Sequence, residues 1–307
     1  MANYLVRGVR SVEIAASNLD QAAAFYRDVW NLHLQASDEG GRYLRGTGRY
    51  HHILGLHTGP APELIRVVFD VADREKLEAL HRSVTAAKAG PVTPIAAPAG
   101  PAGGTGFGCK DPEGRNLAFV CGAAEHPGDN PHVKDRPIKV SHVNLNCADH
   151  AASSAYFTDV LAFTMADDTD HLRFMRCGNT DHHSVVLARE PSTTLNHIAF
   201  EMPDLDSVMR GAGRMKDAGY PIEWGPGRHG AGNNVFAYFA GPDELPLEYT
   251  AEVEQVDASY VVHGPDYWRF PPNRTDQWGI TGPRSARLLR LWTMWRFSAD
   301  GWRLPAK

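Results

Sequence analysis

Val140-Ser141-His142-Val143 repeats Val9-Arg10-Ser11-Val12 at an offset of 131 residues (9 to 140), and this pairing decides the fold. The same offset sets Ala24-Phe25-Tyr26-Arg27-Asp28-Val29 beside Ala155-Tyr156-Phe157-Thr158-Asp159-Val160. It sets His51-His52 beside His182-His183, and Arg66-Val67-Val68-Phe69-Asp70 beside His197-Ile198-Ala199-Phe200-Glu201. An offset of 130 (118 to 248) pairs Ala118 with Glu248, and Pro112-Glu113 with Pro242-Asp243. A duplicated fold needs matching apolar positions, because each copy buries the same faces. It does not need His142, His197 and Glu248 where the first copy has Ser11, Arg66 and Ala118. That asymmetry points to a metal site within residues 140–250 and to a structural or lid role for the first copy.

Outward from these strands, the first copy predicts a helix after residue 18, with Asn18 or Asp20 as cap and Ala23, Phe25, Tyr26 and Val29 on its buried side. Strands follow near residues 42–45 and 51–56. A second unit starts at 64–69 and continues with a helix over 73–87. An Ala/Gly/Pro stretch at 91–106 precedes strands near 106–110 and 116–121. The second copy repeats the order, with strands near 140–146, 171–176, 183–188, 196–202, 234–239 and 245–250 and helices over 151–160 and 205–218. The chain reads as an α+β protein of four βαβββ modules in two tandem domains. One module of about fifty residues cannot close a barrel, but two can curve their sheets around a shared cavity. The expected boundaries are a non-metal domain at 1–124, a linker at 125–138, a site-bearing domain at 139–252 and an aromatic tail at 253–307.

Composition excludes several classes. Of 307 residues, 43% are hydrophobic and 22% charged, as in a globular protein. A formal net charge of −5 offers no basic face to nucleic acid or anionic lipid. No apolar run is long enough to span a bilayer, and the N-terminus lacks the apolar core of a signal peptide. Cys109, Cys121, Cys147 and Cys177 form no CxxC spacing, which argues against a cysteine zinc site and suits a reducing cytoplasm. Arg284, Arg287 and Arg290 are spaced as one solvated helix face. The tail aromatics Tyr267, Trp268, Phe270, Trp278, Trp292, Trp295 and Trp302 fit packing onto the domain, a subunit interface in a homo-oligomer, or closure of the cavity.

His142 lies in Val140-Ser141-His142-Val143-Asn144-Leu145, His197 in Leu195-Asn196-His197-Ile198-Ala199-Phe200, and Glu248 in Leu245-Pro246-Leu247-Glu248-Tyr249. Side chains alternate along a strand, so His142 and Asn144 share a face. A carboxylate and two imidazoles among apolar neighbours are costly unless paired or metal-bound. Three such donors from three strands leave coordination positions open, which suits non-haem Fe(II) working with O2. Nearby, His182-His183 precedes an apolar strand, and Gly227-Arg228-His229 is followed by Tyr238 and Glu248. Imidazoles and a phenol beside a metal can hydrogen-bond and move protons.

These motifs, above all GRHGAGNNVFAYFAGPDELPLEY at 227–249, resemble the type I extradiol ring-cleaving dioxygenases of the vicinal oxygen chelate superfamily. The resemblance covers roughly residues 8–251. It implies the tandem fold of the glyoxalase, bleomycin-resistance and extradiol dioxygenase type, with His142, His197 and Glu248 as ligands of Fe(II), or of Mn(II). It implies His183 as acid/base and His229 and Tyr238 as catalytic partners acting on a catechol and O2. Asn144 matches the homoprotocatechuate branch, whereas the His182-His183 pair resembles the cleavers of bicyclic catechols. An arginine that helps hold a substrate carboxylate is expected five residues before His229, and Trp224 stands there instead. An indole at that place favours a neutral or aromatic ring substituent. Two other readings share the fold. A glyoxalase-like isomerase is expected to add carboxylate ligands, and a non-catalytic small-molecule-binding protein does not need the three ligands together.

Overall fold

The computed structural model describes residues 4–127, 133–272 and 274–304. Part of the expected linker, 128–132, and the tail positions 273 and 305–307 lie outside the described residues, as do 1–3. The first half runs β1 (Val6–Ala16), α1 (Leu19–Ala24, continued by a π-helical turn at Phe25–Val29), β2 (His33–Ser37), β3 (Gly41–Arg45), β4 (Leu54–Thr58), β5 (Glu63–Val71), α2 (Arg74–Ala87), β6 (Thr105–Lys110) and β7 (Asn116–Cys121). The second half runs β8 (Lys139–Cys147), α3 (His150–Ala155, continued by a π-helical turn at Tyr156–Val160), β9 (Thr164–Asp168), β10 (Leu172–Arg176), β11 (Val185–Arg189), β12 (Leu195–Glu201), α4 (Leu205–Asp217), β13 (Trp224–Arg228), β14 (Val235–Ala240) and β15 (Pro246–Ala251). A short helix, α5 (Ala286–Leu291), lies in the tail.

Local chemistry sets these elements. Asn18, Asp73, Asp149 and Asp204 each accept a backbone N–H of the first turn through the side chain, so the first four helices start at acidic or amide caps. Leu77, Leu80 and Val84 give α2 one buried stripe against the sheet. β1 and β8 are buried on both faces, one against helices and one toward a cavity.

The strands form two sheets, β2-β3-β4-β1-β5-β7-β6 and β13-β14-β15-β12-β8-β11-β10-β9. The orders match strand for strand, with β13 added to the second. In the first half that edge is reduced to isolated bridges from Val92 to Cys109 and from Ala96 to Gly106. Pro91, Pro94 and Pro98 remove ladder donors there. Register is duplicated too: Ser11 pairs with Val68 as His142 pairs with Ala199, and Glu13 pairs with Arg66 as Asn144 pairs with His197.

One hydrophobic core runs through both halves. Trp30 stacks on Tyr249 at 3.7 Å, and the Tyr249 hydroxyl donates to the Trp30 carbonyl at 3.0 Å. Such a stacked, fully buried pair stabilises the interface between halves by about 1 kcal/mol beyond area burial. The tail then crosses both halves. The Leu64 N–H donates to the Arg296 carbonyl, and the Leu195 N–H donates to the Trp295 carbonyl.

Candidate metal centre and active site

A single line of paired residues crosses the second sheet: Trp224, Tyr238, Glu248, Ala199 and His142 on β13, β14, β15, β12 and β8. Residues opposite one another in register share a face of the pleat. Ala199 is the small residue between His142 and Glu248, and His197 lies two positions from it on the same face. The sheet therefore gathers two imidazoles and a carboxylate around a gap that a larger residue at 199 would fill.

In that gap His197 Nε2 lies 3.0 Å and His142 Nε2 lies 3.4 Å from Glu248 Oε2, and the two imidazole nitrogens are 3.3 Å apart. The three donor atoms lie within 4.8 Å of one another, and all three residues are buried. Burial alone would raise the Glu248 carboxyl, but the imidazoles around it hold it well below the usual carboxylate range. Burial pushes His142 down, toward the neutral form that ligates. Neither Glu248 oxygen has an aligned hydrogen-bond partner. Two facing imidazole nitrogens and a buried carboxylate without an aligned partner fit a divalent cation, which supplies what the protein leaves out.

His197 is held from behind. Its Nδ1 donates to Asn196 Oδ1 at 2.8 Å, Asn196 Nδ2 donates to Asn146 Oδ1 at 3.0 Å, and Asn146 Nδ2 donates to the Trp292 carbonyl at 2.6 Å. This fixes the tautomer that turns Nε2 to the gap. Strict alternation would place Asn196 on the opposite face, but a register shift between Leu195 and His197 brings it round.

The gap opens on a cavity of about 480 Å³. Asn144, His183, His229, Tyr238 and Trp224 all line it together with His142 and His197, so the candidate site residues come to one place. His229 Nε2 and the Tyr238 hydroxyl are 3.1 Å apart, and His229 Nε2 is 3.7 Å from Glu248 Oε1. Burial, then the Glu248 charge, push the Tyr238 phenol well above its ordinary value, so it stays protonated. Burial and the neighbouring His142 and His182 push His183 well below its ordinary value. Phe174 from β10 and Trp224 from β13 line the same cavity although their strands lie near opposite edges of the sheet, so the sheet curves around it.

The tail supplies the remaining wall through Trp268, Phe270, Arg284, Leu289 and Trp292. The basic run is not one solvated face. α5 starts only at Ala286, after the cap Ser285, so Arg284 precedes it and lies over Trp224 at 4.3 Å. Arg287 pairs instead with Glu223 and Glu244.

A tandem βαβββ chain with a buried two-histidine, one-carboxylate centre is the class that fold and site define. The family model of the Glyoxalase/Bleomycin resistance protein/Dioxygenase superfamily matches residues 8–119 and again 139–249, and the chain belongs to that superfamily. It is 29% identical over 149 residues to Metapyrocatechase 2 of Cupriavidus necator, a match that covers 48% of this chain and 46% of that one. It is 28% identical over 255 residues to 2,2',3-trihydroxybiphenyl dioxygenase of Sphingomonas paucimobilis, covering 74% and 81%. The solved Mn(II)-bound glyoxalase from Novosphingobium aromaticivorans is 34% identical, with a TM-score of 0.85 over 93% of this chain and 94% of that one. Among the described residues no helix is long and apolar enough to cross a membrane.

Proposed function

We propose that this chain cleaves a catecholic ring beside its diol, with O2 as co-substrate and a divalent metal at His142, His197 and Glu248. The observation that carries this reading is the three-donor cluster opening onto a cavity where His183, His229 and Tyr238 surround the same point. Two imidazoles and one carboxylate would hold such an ion without filling its coordination, which would leave it open to a diol and O2. Fe(II) is the ion assigned, with Mn(II) as the alternative, and when bound it lets electron density pass from the electron-rich ring to O2. His183 holds and returns a proton at the substrate oxygens. Tyr238 donates a hydrogen bond to them, oriented by His229. Phe174, Val186 and Trp224 flank the ring, while Trp268 and Trp292 shield it from water. The product is a ring-opened muconic semialdehyde-type compound, formed in the breakdown of aromatic molecules. The names of the two curated relatives support the same reaction class. A cytoplasmic homo-oligomer is part of this reading, and the four free, buried cysteines accord with a reducing compartment.

A glyoxalase-like isomerase is the second reading, favoured by the name of the 34% identical structure. Against it, Glu248 is the only carboxylate in the cluster among the described residues. Anaerobic loading with Fe(II), then a panel of catechols with O2, is expected to give yellow ring-opened products and O2 uptake. Metal-loaded protein that leaves every catechol intact but isomerises a 2-oxoaldehyde–thiol adduct would overturn the dioxygenase reading.

A further inference from the structure

Behind His183 lies a chain of buried polar contacts. His183 Nδ1 is 3.1 Å from His182 Nδ1, and His182 Nε2 is 2.9 Å from Asp167 Oδ2. Asp167 and His182 are both fully buried. Among the described residues no lysine or arginine pairs with Asp167. Its carboxylate is satisfied instead by His182, by the Tyr260 hydroxyl at 3.0 Å and by the His263 backbone N–H at 2.8 Å. The His263 ring Nδ1 stands 3.5 Å away.

We propose that Asp167 is a positioning residue that acts through His182 to present His183 to the substrate with its Nε2 unprotonated. A buried carboxylate accepts, so the His182 proton sits on Nε2. The lone pair of His182 Nδ1 then requires His183 Nδ1 to donate. Nε2 is left as the nitrogen of His183 free for the cavity, ready to take the proton of a ring hydroxyl. On its other side the ring lies against the Gly232 backbone, which comes this close because it carries no side chain. Gly232 has φ 82°, and a Cβ built there would stand 2.8 Å from His183 Cε1.

The first half is an internal control. β2 (His33–Ser37) and β9 (Thr164–Asp168) correspond residue for residue, and Ala36 pairs with Tyr43 as Asp167 pairs with Phe174. His51 and His52 keep the Nδ1–Nδ1 contact at the same 3.1 Å. The histidine pair is thus common to both halves, whereas the carboxylate occurs only in the half that carries the metal centre, with Ala36 in its place in the other.

The inference rests on the acid/base role proposed for His183, but its primary test needs no turnover. Histidine side-chain ¹⁵N shifts are recorded on Zn(II)-loaded protein labelled at histidine, with His183 assigned by its absence in His183→Gln. The wild-type spectrum is expected to show His183 protonated at Nδ1 and bare at Nε2. In Asp167→Asn the fixed His263 N–H keeps the amide oxygen, so the amide NH₂ faces His182. Both tautomers should then invert, and kcat should fall on the order of 10–100-fold with KM changed little. Tyr260→Phe, which removes one donor to Asp167 Oδ2 but leaves the carboxylate as the acceptor for His182, should leave the His183 tautomer unchanged. A wild-type His183 protonated at Nε2 overturns the proposal whether or not Asp167→Asn folds. So does a folded Asp167→Asn with unchanged tautomer and kcat. A bare Nε2 in a protein that cleaves no catechol would instead sink the proposed function alone.

Discussion

Where β8 and β12 place Asn144 beside His197, β1 and β5 place Glu13 beside Arg66, and the Arg66 Nε donates to Glu13 Oε2 at 2.9 Å. Where Glu248 pairs with Ala199 on the neighbouring strand, Ala118 pairs with Val68, whose side chain packs in a small apolar cluster with Ala118. The first half keeps a smaller cavity, about 260 Å³, lined by that ion pair and by His52. Two copies of one frame thus resolve buried charge in opposite ways. The first neutralises its carboxylate with an arginine, and the second sets its carboxylate against two imidazoles, with no lysine or arginine paired to it among the described residues. The frame tolerates either because strand register is fixed by the backbone ladder and the apolar faces, not by the groups that point into the cavity.

The largest effects should come from replacing what the second half leaves open. His142→Ala, His197→Ala or Glu248→Ala should each lose stoichiometric metal and all measurable turnover while circular dichroism stays native. Full metal occupancy in any of the three would remove that residue from the site. Next, His183→Ala should lower turnover by roughly 10²-fold or more, the scale of a positioned acid/base group, whereas His52→Ala should change it by a few-fold at most. Equal losses would erase the distinction between the halves.

The first half should respond in stability rather than activity. Glu13→Ala leaves Arg66 without its carboxylate and is expected to cost about 3 kcal/mol in denaturant titration, with metal content intact. Burial tends to raise the Glu13 carboxyl, but the Arg66 guanidinium holds it down at about 2, below its ordinary value of 4.5. A depressed carboxyl stabilises the fold above its unfolded pKa, so this contribution should fade as pH falls from about 4.5 toward 2. Flat stability of wild type relative to Glu13→Ala across that range would contradict the assignment. The smallest change concerns the cavity mouth. Arg284→Leu should raise the ratio of kcat/KM for alkyl over carboxylate-bearing catechols by about 2–5-fold, the scale of an exposed pair. An unchanged ratio would mean that Arg284 does not reach the substituent.

Much of this was legible from the duplication alone, because offsets of 131 and then 130 carry strand, register and candidate site together. The first strand after each early helix, β2 and β9, escaped placement because both are half-exposed and polar. β13 escaped because Trp224-Gly225-Pro226-Gly227-Arg228 reads as a turn, although an edge strand with a register shift accepts such residues. Asn196 was hidden by the alternation rule, which fails at the shift beside it. Asp167 lies in the acidic run Asp167-Asp168-Thr169-Asp170, where no local pattern separates the buried member from its solvated neighbours. Its only signal was Ala36 at the corresponding place. Arg284 shared its spacing with Arg287 and Arg290, and only the helix start at Ala286 divides them.

The walls of the cavity and the metal donors also differ in when they are made. Forty-four residues separate Glu248 from Trp292 (248 to 292). At the usual pace of synthesis the ligand set leaves the ribosome roughly 2–9 s before that wall. During this interval the wall that Trp292 supplies is missing, and the way to the three donors would be more open. Once the tail docks, departure of a bound ion would require it to lift, so the proposed ion would be held by a barrier as well as by affinity. Trp292→Ala should therefore speed metal loss to a chelator more than it weakens equilibrium binding.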